Sequence, residues 1–303
     1  MSDIRSIVAA TDLSAPAGRA AHRAARLAQT KSATLTLAHV VSHSALDELR
    51  RWLDVGGDPG QSIVDEVSQR LQELASSLAN RYGIQVDPKV LTGRPVDEVA
   101  RIADEVAADM VVTGTLGAGH LRSRLVGSTA ERIVRKSTRP VLLVRQSPRA
   151  PYERVLVAID FSRWSLPSLQ LATAMAPDAE FVLLHCVEPL ERMPGLAGLD
   201  AAALERSRAA AGGDAMQRLH ETAARAGLPA GRWTAAVRTG MAPWLHIVRL
   251  EQEQDCDLIV IGKHGANAIE ELLLGSTTNT VIAETGADVL VCTRNEPVDA
   301  PRA

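Results

Sequence analysis

The chain repeats itself once at a spacing of 148 residues, and this constrains its architecture more than any other feature. SIVAATDLS (Ser6–Ser14) returns as VLVAIDFS (Val155–Ser162), so Asp160 stands 148 residues after Asp12. DMVVTGTLGAG (Asp109–Gly119) returns as DLIVIGKHGAN (Asp257–Asn267), with Gly114 and Gly262 at the same spacing. RLVGST (Arg124–Thr129) returns as LLLGST (Leu272–Thr277). Between these anchors the spacing slips to 146 at His39 and His185 and to 147 at Gly93 and Gly240, then recovers at Pro95 and Pro243. Insertions that cancel are the loop-length drift of a duplicated domain. A period this long stands for two whole domains, not for a solenoid of about 20–50-residue units. The stretch RQSPRAPYE (Arg145–Glu153), with two prolines among polar residues, is the linker. The domains are accordingly placed at residues 1–148 and 152–296, with a frayed tail from Asn295.

Each half alternates strand and helix patterns. Ser6–Thr11 is a continuous apolar run, as expected of a parallel strand buried on both faces. Ser14–Gln29 begins with a Ser cap and Pro16 in the first turn and continues rich in Ala and Arg, which predicts a helix. Thr34–Val41, Ile84–Leu91, Met110–Thr113 and Val141–Arg145 follow as strands. Gln61–Tyr82, Pro95–Ala107 and a segment from about Ser128 follow as helices. The second half keeps that order. The expected fold class is α/β: two tandem doubly wound, five-stranded parallel-sheet domains, Rossmann-like. Ligands of such sheets sit beyond the carboxyl ends of the strands, where strand order reverses.

Composition removes several function classes. Apolar residues make up 46% of the 303 and charged residues 23%, the balance of a globular protein. A net charge of −3 and only eight aromatic residues exclude a general nucleic-acid binder and its stacking platforms. No run approaches the ~18 apolar residues of a membrane span, and the N-terminal stretch carries no apolar leader, so a cytoplasmic protein without membrane contact is expected. Cys186, Cys256 and Cys292 are odd in number and form no CxxC pair, which suits buried free thiols. The histidines lack metal-ligand spacing, so no protein-held metal is expected.

The chemistry-bearing motif is G-x2-G-x9-G-S-T. It occurs as Gly114, Gly117, Gly127, Ser128, Thr129 and again as Gly262, Gly265, Gly275, Ser276, Thr277. Its expected purpose is anion binding. Glycines permit positive φ and close backbone approach. The Gly-Ser-Thr step starts a helix whose free N–H groups and positive dipole end face the ligand. GxxxxGK[ST] is absent, and Gly117-Ala-Gly119 lacks the third glycine of GxGxxG.

In these residues both halves resemble the universal stress protein domain, of the ATP-binding, adenine-nucleotide α-hydrolase-like type. The resemblance covers about residues 3–146 and 152–294. It implies that Asp12 and Asp160 reach the ribose and adenine side of a nucleotide. It implies that the backbones of Val40 and Cys186 meet the adenine edge. The motif glycines with Ser128, Thr129, Ser276 and Thr277 would cradle ribose and phosphates. Thr278, where the first half has Ala130, would add a hydroxyl and make the second site the tighter. Before the Asp, Thr11 in the first half becomes Ile159 in the second.

Plainer readings stand beside these. Asp12 and Asp160 also suit capping of the next helix, which does not exclude ligand contact. His39 and His185 are expected as hydrogen-bonded core residues. Lys263 and His264 suit either phosphate contact or a solvated loop. The Arg19–Arg26 face is expected to be solvated.

The expected function is an ATP-binding stress-response switch with two sites per chain, Mg²⁺ or Mn²⁺ accompanying the phosphates. At most a weak ATPase is expected. The alternatives are an ATP-using enzyme of the same α/β class, or a partner-binding structural protein with relic sites. The domains are expected to pair within the chain through their last strands, with a homodimer of whole chains as a further step; the protein partner is unknown.

Overall fold

The buried apolar runs form the central strands of two sheets. A computed structural model of the chain describes residues 4–42, 59–115, 127–187, 201–263 and 274–293. The chain divides into two units, built on Asp3–Pro151 and Tyr152–Cys292. In order, the first holds β1 (Ser6–Ala10), α1 (Ala15–Lys31), β2 (Thr34–Ser42), α2 (Pro59–Tyr82), β3 (Val86–Gly93), α3 (Pro95–Glu105), β4 (Met110–Gly114), α4 (Ser128–Lys136) and β5 (Val141–Val144). The second holds β6 (Arg154–Ala158), α5 (Ser165–Met175), β7 (Glu180–Val187), α6 (Ala201–Ala226), β8 (Trp233–Thr239), α7 (Pro243–Glu253), β9 (Leu258–Gly262), α8 (Ser276–Glu284) and β10 (Asp288–Cys292).

The first sheet runs β3-β2-β1-β4-β5 and the second β8-β7-β6-β9-β10. The pairings within each are parallel, with Ser6 opposite Thr34 in one and Arg154 opposite Glu180 in the other. β4, β5 and β10 are buried along their whole length, as sheets covered on both faces require. In both units the order reverses between the first and fourth strands, which opens a crevice at their carboxyl ends.

A pair of carboxylates repeats as structural fasteners. Asp109 Oδ2 accepts from the Arg5 and Ser6 N–H groups at 2.7 and 2.9 Å. Asp257 takes the Glu153 and Arg154 N–H groups at 2.8 and 3.2 Å. Each ties the start of one strand to the start of its neighbour, where ladder partners run out.

The first helices of the two units differ. α1 is 17 residues long and begins after Ser14, whose side chain accepts from Ala17 N at 3.4 Å. Its buried face is mostly alanine, which lets it lie close to the sheet. α5 has 11 residues and begins at Ser165, two positions later in the repeat. Pro167 accounts for the shift. Proline has no N–H for the carbonyl four residues back and its ring crowds that carbonyl, so it is tolerated only in a first turn. The first half has Arg19 at that position.

The arginine face of α1 departs from the sequence expectation. Arg23 is only 4% exposed, and its Nη1 donates to Ala150 O at 2.9 Å. Arg26 Nη2 donates to Arg149 O at 3.1 Å. The linker lies against α1, and guanidinium donors take carbonyls that no strand satisfies.

Candidate functional site

Thirteen of the fifteen residues singled out from the sequence gather at the two crevices. Asp12, Val40, Gly114, Gly127, Ser128 and Thr129 line a cleft of about 220 Å³ in the first unit. Asp160, Cys186, Gly262, Gly275, Ser276, Thr277 and Thr278 line one of about 450 Å³ in the second. Gly117, Gly265 and His264 lie outside the described residues.

Strand alternation explains why Val40 and Cys186 line the clefts. Thr34 N donates to Arg5 O and Thr11 N to Ala38 O, so the even-numbered residues of β2 face β1. Leu35 N donates to Gln85 O, so the odd ones face β3. Val40 continues the even phase past the end of β1, and its N–H and C=O turn into the cleft. β7 follows the same pattern. Glu180 N reaches Glu153 O, Ile159 N reaches Leu184 O, and Cys186 stands one step beyond. The carbonyl that would close the next rung belongs to Ile159. His185 Nδ1 occupies it at 2.7 Å. A carbonyl only accepts, so that bond places the proton on Nδ1. His185 is thus a hydrogen-bonded histidine of the kind expected. His39 differs: its Nδ1 is buried without bonding geometry to a partner, although the Thr11 carbonyl stands close enough to act on its pKa. Burial lowers the pKa of both rings, so both favour the neutral form.

The carboxylates hold a strained turn. Asp12 Oδ1 accepts from Ser14 N at 3.0 Å, and Asp160 Oδ1 from Ser162 N at 2.9 Å. The residues between, Leu13 and Phe161, take φ of 61° and 58°. A left-handed conformation at such side chains is costly and persists where its surroundings fix it. Both aspartates are exposed at the cleft wall. In the second unit Ser165 Oγ also donates to Asp160 Oδ1, at 2.8 Å. The first unit has Ala17 there.

The phosphate-cradle glycines act differently from the expectation of positive φ. Gly127 (φ −62°, ψ 142°) and Gly275 (φ −57°, ψ 143°) are extended and open to any residue. Each precedes a helix with no side-chain cap, so the first N–H groups of α4 and α8 keep no capping partner from Gly127 or Gly275. Gly114 has a packing reason as well. A Cβ there would come within 3.1 Å of Pro16 C and O and 3.3 Å of Ala17 N.

Two expected ligand contacts have other tasks. Thr278 Oγ1 donates its only proton to Gly262 O at 2.8 Å, which ties α8 to the end of β9 and leaves none for a phosphate. Lys263 is 8% exposed and lies outside the cleft lining, so it is neither a solvated loop residue nor a wall of the site. Burial lowers its pKa.

Sequence reasoning missed the aromatic contacts. The Phe161 and His185 rings meet at a centroid distance of 4.3 Å with their planes tilted by 35°, and Arg218 lies over Phe161 at 4.0 Å. Arg163 lies over Trp164 at 4.4 Å, at the cleft mouth. Leu13 and Pro16 are the counterparts in the first unit. The 148-residue register itself marked these substitutions.

Ser165 spends its proton on Asp160 and His185 its Nδ1 proton on Ile159 O, so neither bond links a hydroxyl to the imidazole. Burial pushes the Cys186 thiol up to about 12, so it is no nucleophile near neutrality. Among the described residues no three His, Cys, Asp or Glu side chains are placed to hold a metal, and no helix is long and apolar enough to cross a membrane.

Comparison with known proteins agrees with this architecture. The family model described as "Universal stress protein family" matches residues 3–145 and again 151–293. A universal stress protein of Mycobacterium tuberculosis is 27% identical over 300 residues, covering 94% of this chain and 96% of its own length. One of Mycolicibacterium smegmatis is 27% identical over 302 residues with the same coverage. The crystal structure of a universal stress protein from Archaeoglobus fulgidus superposes with a TM-score of 0.69 at 20% identity, over 95% of this chain and 96% of that one. Two family matches, on two sheets that each reverse order at a glycine-led helix start, establish that the chain belongs to the universal stress protein family as a tandem pair of its domains.

Proposed function

We propose that the chain binds an adenine nucleotide, ATP foremost, at the carboxyl ends of its strands, and that occupancy acts as a switch in a stress response. The supporting observation is a convergence in the second unit. One cleft brings together the Asp160 carboxylate, the backbone edge of Cys186 and the uncapped N-terminus of α8. Asp160 is an acceptor suited to ribose hydroxyls. The Cys186 N–H and C=O form a donor–acceptor pair suited to a purine edge. The Ser276–Thr278 N–H groups and the helix dipole suit phosphates.

These residues fit a nucleotide but offer no carboxylate cage for a cation. Mg²⁺ or Mn²⁺ would therefore enter on the phosphates and offset their charge. Weak hydrolysis would be a property of the bound metal–phosphate and solvent, since the described residues of the cleft supply no paired base. A dimer of whole chains is a separate proposal, checked by light scattering. Titration calorimetry of the full chain with ATP, with and without Mg²⁺, tests the reading. Saturable heat is expected, and no heat with ATP or ADP at millimolar ligand overturns it.

A further inference from the structure

Resting on that reading, we infer that the chain holds one nucleotide and not two, and that it sits in the second unit. The repeat built two cradles, and the clefts beside them differ in size. Ligand clefts usually enclose about 300–1,000 Å³. The second cleft, at about 450 Å³, falls within that range, and the first, at about 220 Å³, falls below it.

The cause of the difference is local. In the first unit the opening turn of α1 lies on the end of β4, with Pro16 and Ala17 backbone atoms in contact range of any Cβ at Gly114. In the second, Pro167 delays α5 until Ser165. A turn replaces the helix start, and Ser162, Trp164, Ser165 and Ser168 become cleft wall, where the first unit presents only Ala17 from its helix.

The same delay supplies a positioning residue. Ser162 N and Ser165 Oγ hold one oxygen of Asp160, which fixes the carboxylate before a ligand arrives. Ordering it beforehand removes a cost that would otherwise be met on binding. Ala17 cannot do this for Asp12.

Calorimetry with ATP and Mg²⁺ on the full chain tests the inference. The wild type should bind one equivalent. Gly275→Val should abolish binding, because Gly275 lines the cradle while its φ and ψ suit valine. Gly127→Val should keep one equivalent with affinity within twofold. Ser165→Ala should weaken binding about tenfold and Ser165→Thr should restore it, as expected for loss of one bond to a charged group. Melting temperatures identify any variant that fails to fold, and the serine pair carries the test if Gly275→Val does. Two equivalents of similar affinity, or loss of binding in Gly127→Val, overturn the inference and leave the nucleotide reading standing. No binding by wild type overturns the reading and this inference with it.

Discussion

The two clefts descend from one design, and their cradles still match residue for residue at Asp12 and Asp160, Gly114 and Gly262, and Gly127 and Gly275. What separates them lies beside the cradle. The first is closed down by an alanine-faced helix that starts early. The second is opened by a proline that starts the helix late, and Ser162, Trp164, Ser165 and Ser168 form part of its wall. A motif can therefore match in both copies of a duplication while the cleft beside it differs in size.

The largest effect expected from breaking this comparison is at the paired carboxylates. Asp160→Asn keeps an acceptor for Ser162 N and removes the charge. It should weaken ATP binding by about ten- to a hundredfold, since a hydrogen bond to a charged group contributes about 1.5–3 kcal/mol. Asp12→Asn should leave the affinity unchanged. Equal losses at both positions would make the clefts equivalent.

Next comes the hydroxyl present in one unit only. Thr278→Val leaves the Gly262 carbonyl without the donor it has at 2.8 Å. That should cost about 1–3 kcal/mol of stability, read by denaturant unfolding. Affinity should fall by less than in Asp160→Asn. If stability is unchanged and only binding suffers, Thr278 faces the ligand after all.

How much of this was legible in the sequence follows from the range of each signal. The repeat, the strand runs and the glycine motif are patterns of identity and period, and they led to the fold and to both crevices. Side-chain partners are set by packing between distant segments. Arg23 reads as a surface charge because nothing in its neighbourhood announces that Ala150 will lie against it. The proton of Thr278 goes to a carbonyl 16 residues away in the chain. Lys263 follows a motif glycine yet is buried. The delayed helix was within reach, because Pro167 stands where the first half has Arg19. Its consequence for cleft volume required the three-dimensional packing.

The smallest effect is pH dependence. Burial lowers the pKa of His39 and His185 below the ordinary value near 6.5. The unfolded chain then takes up protons first as pH falls. The stability these rings contribute is present above about 6.5 and is lost as pH drops toward their folded values. Melting temperature should decline between about pH 7.5 and 5.5, and His39→Gln and His185→Gln should each flatten the decline. The carbonyl bond at Ile159 opposes the lowering at His185. A decline that steepens in either variant contradicts the assignment.

The most direct measurement is amide hydrogen exchange on the full chain with and without ATP and Mg²⁺. The N–H groups proposed to meet the ligand are Cys186 and Ser276, Thr277 and Thr278, with Val40, Ser128, Thr129 and Ala130 as their counterparts. Protection confined to the first set is the predicted result. Equal protection of both sets, or protection of the counterparts alone, would contradict the assignment of the nucleotide to the second unit.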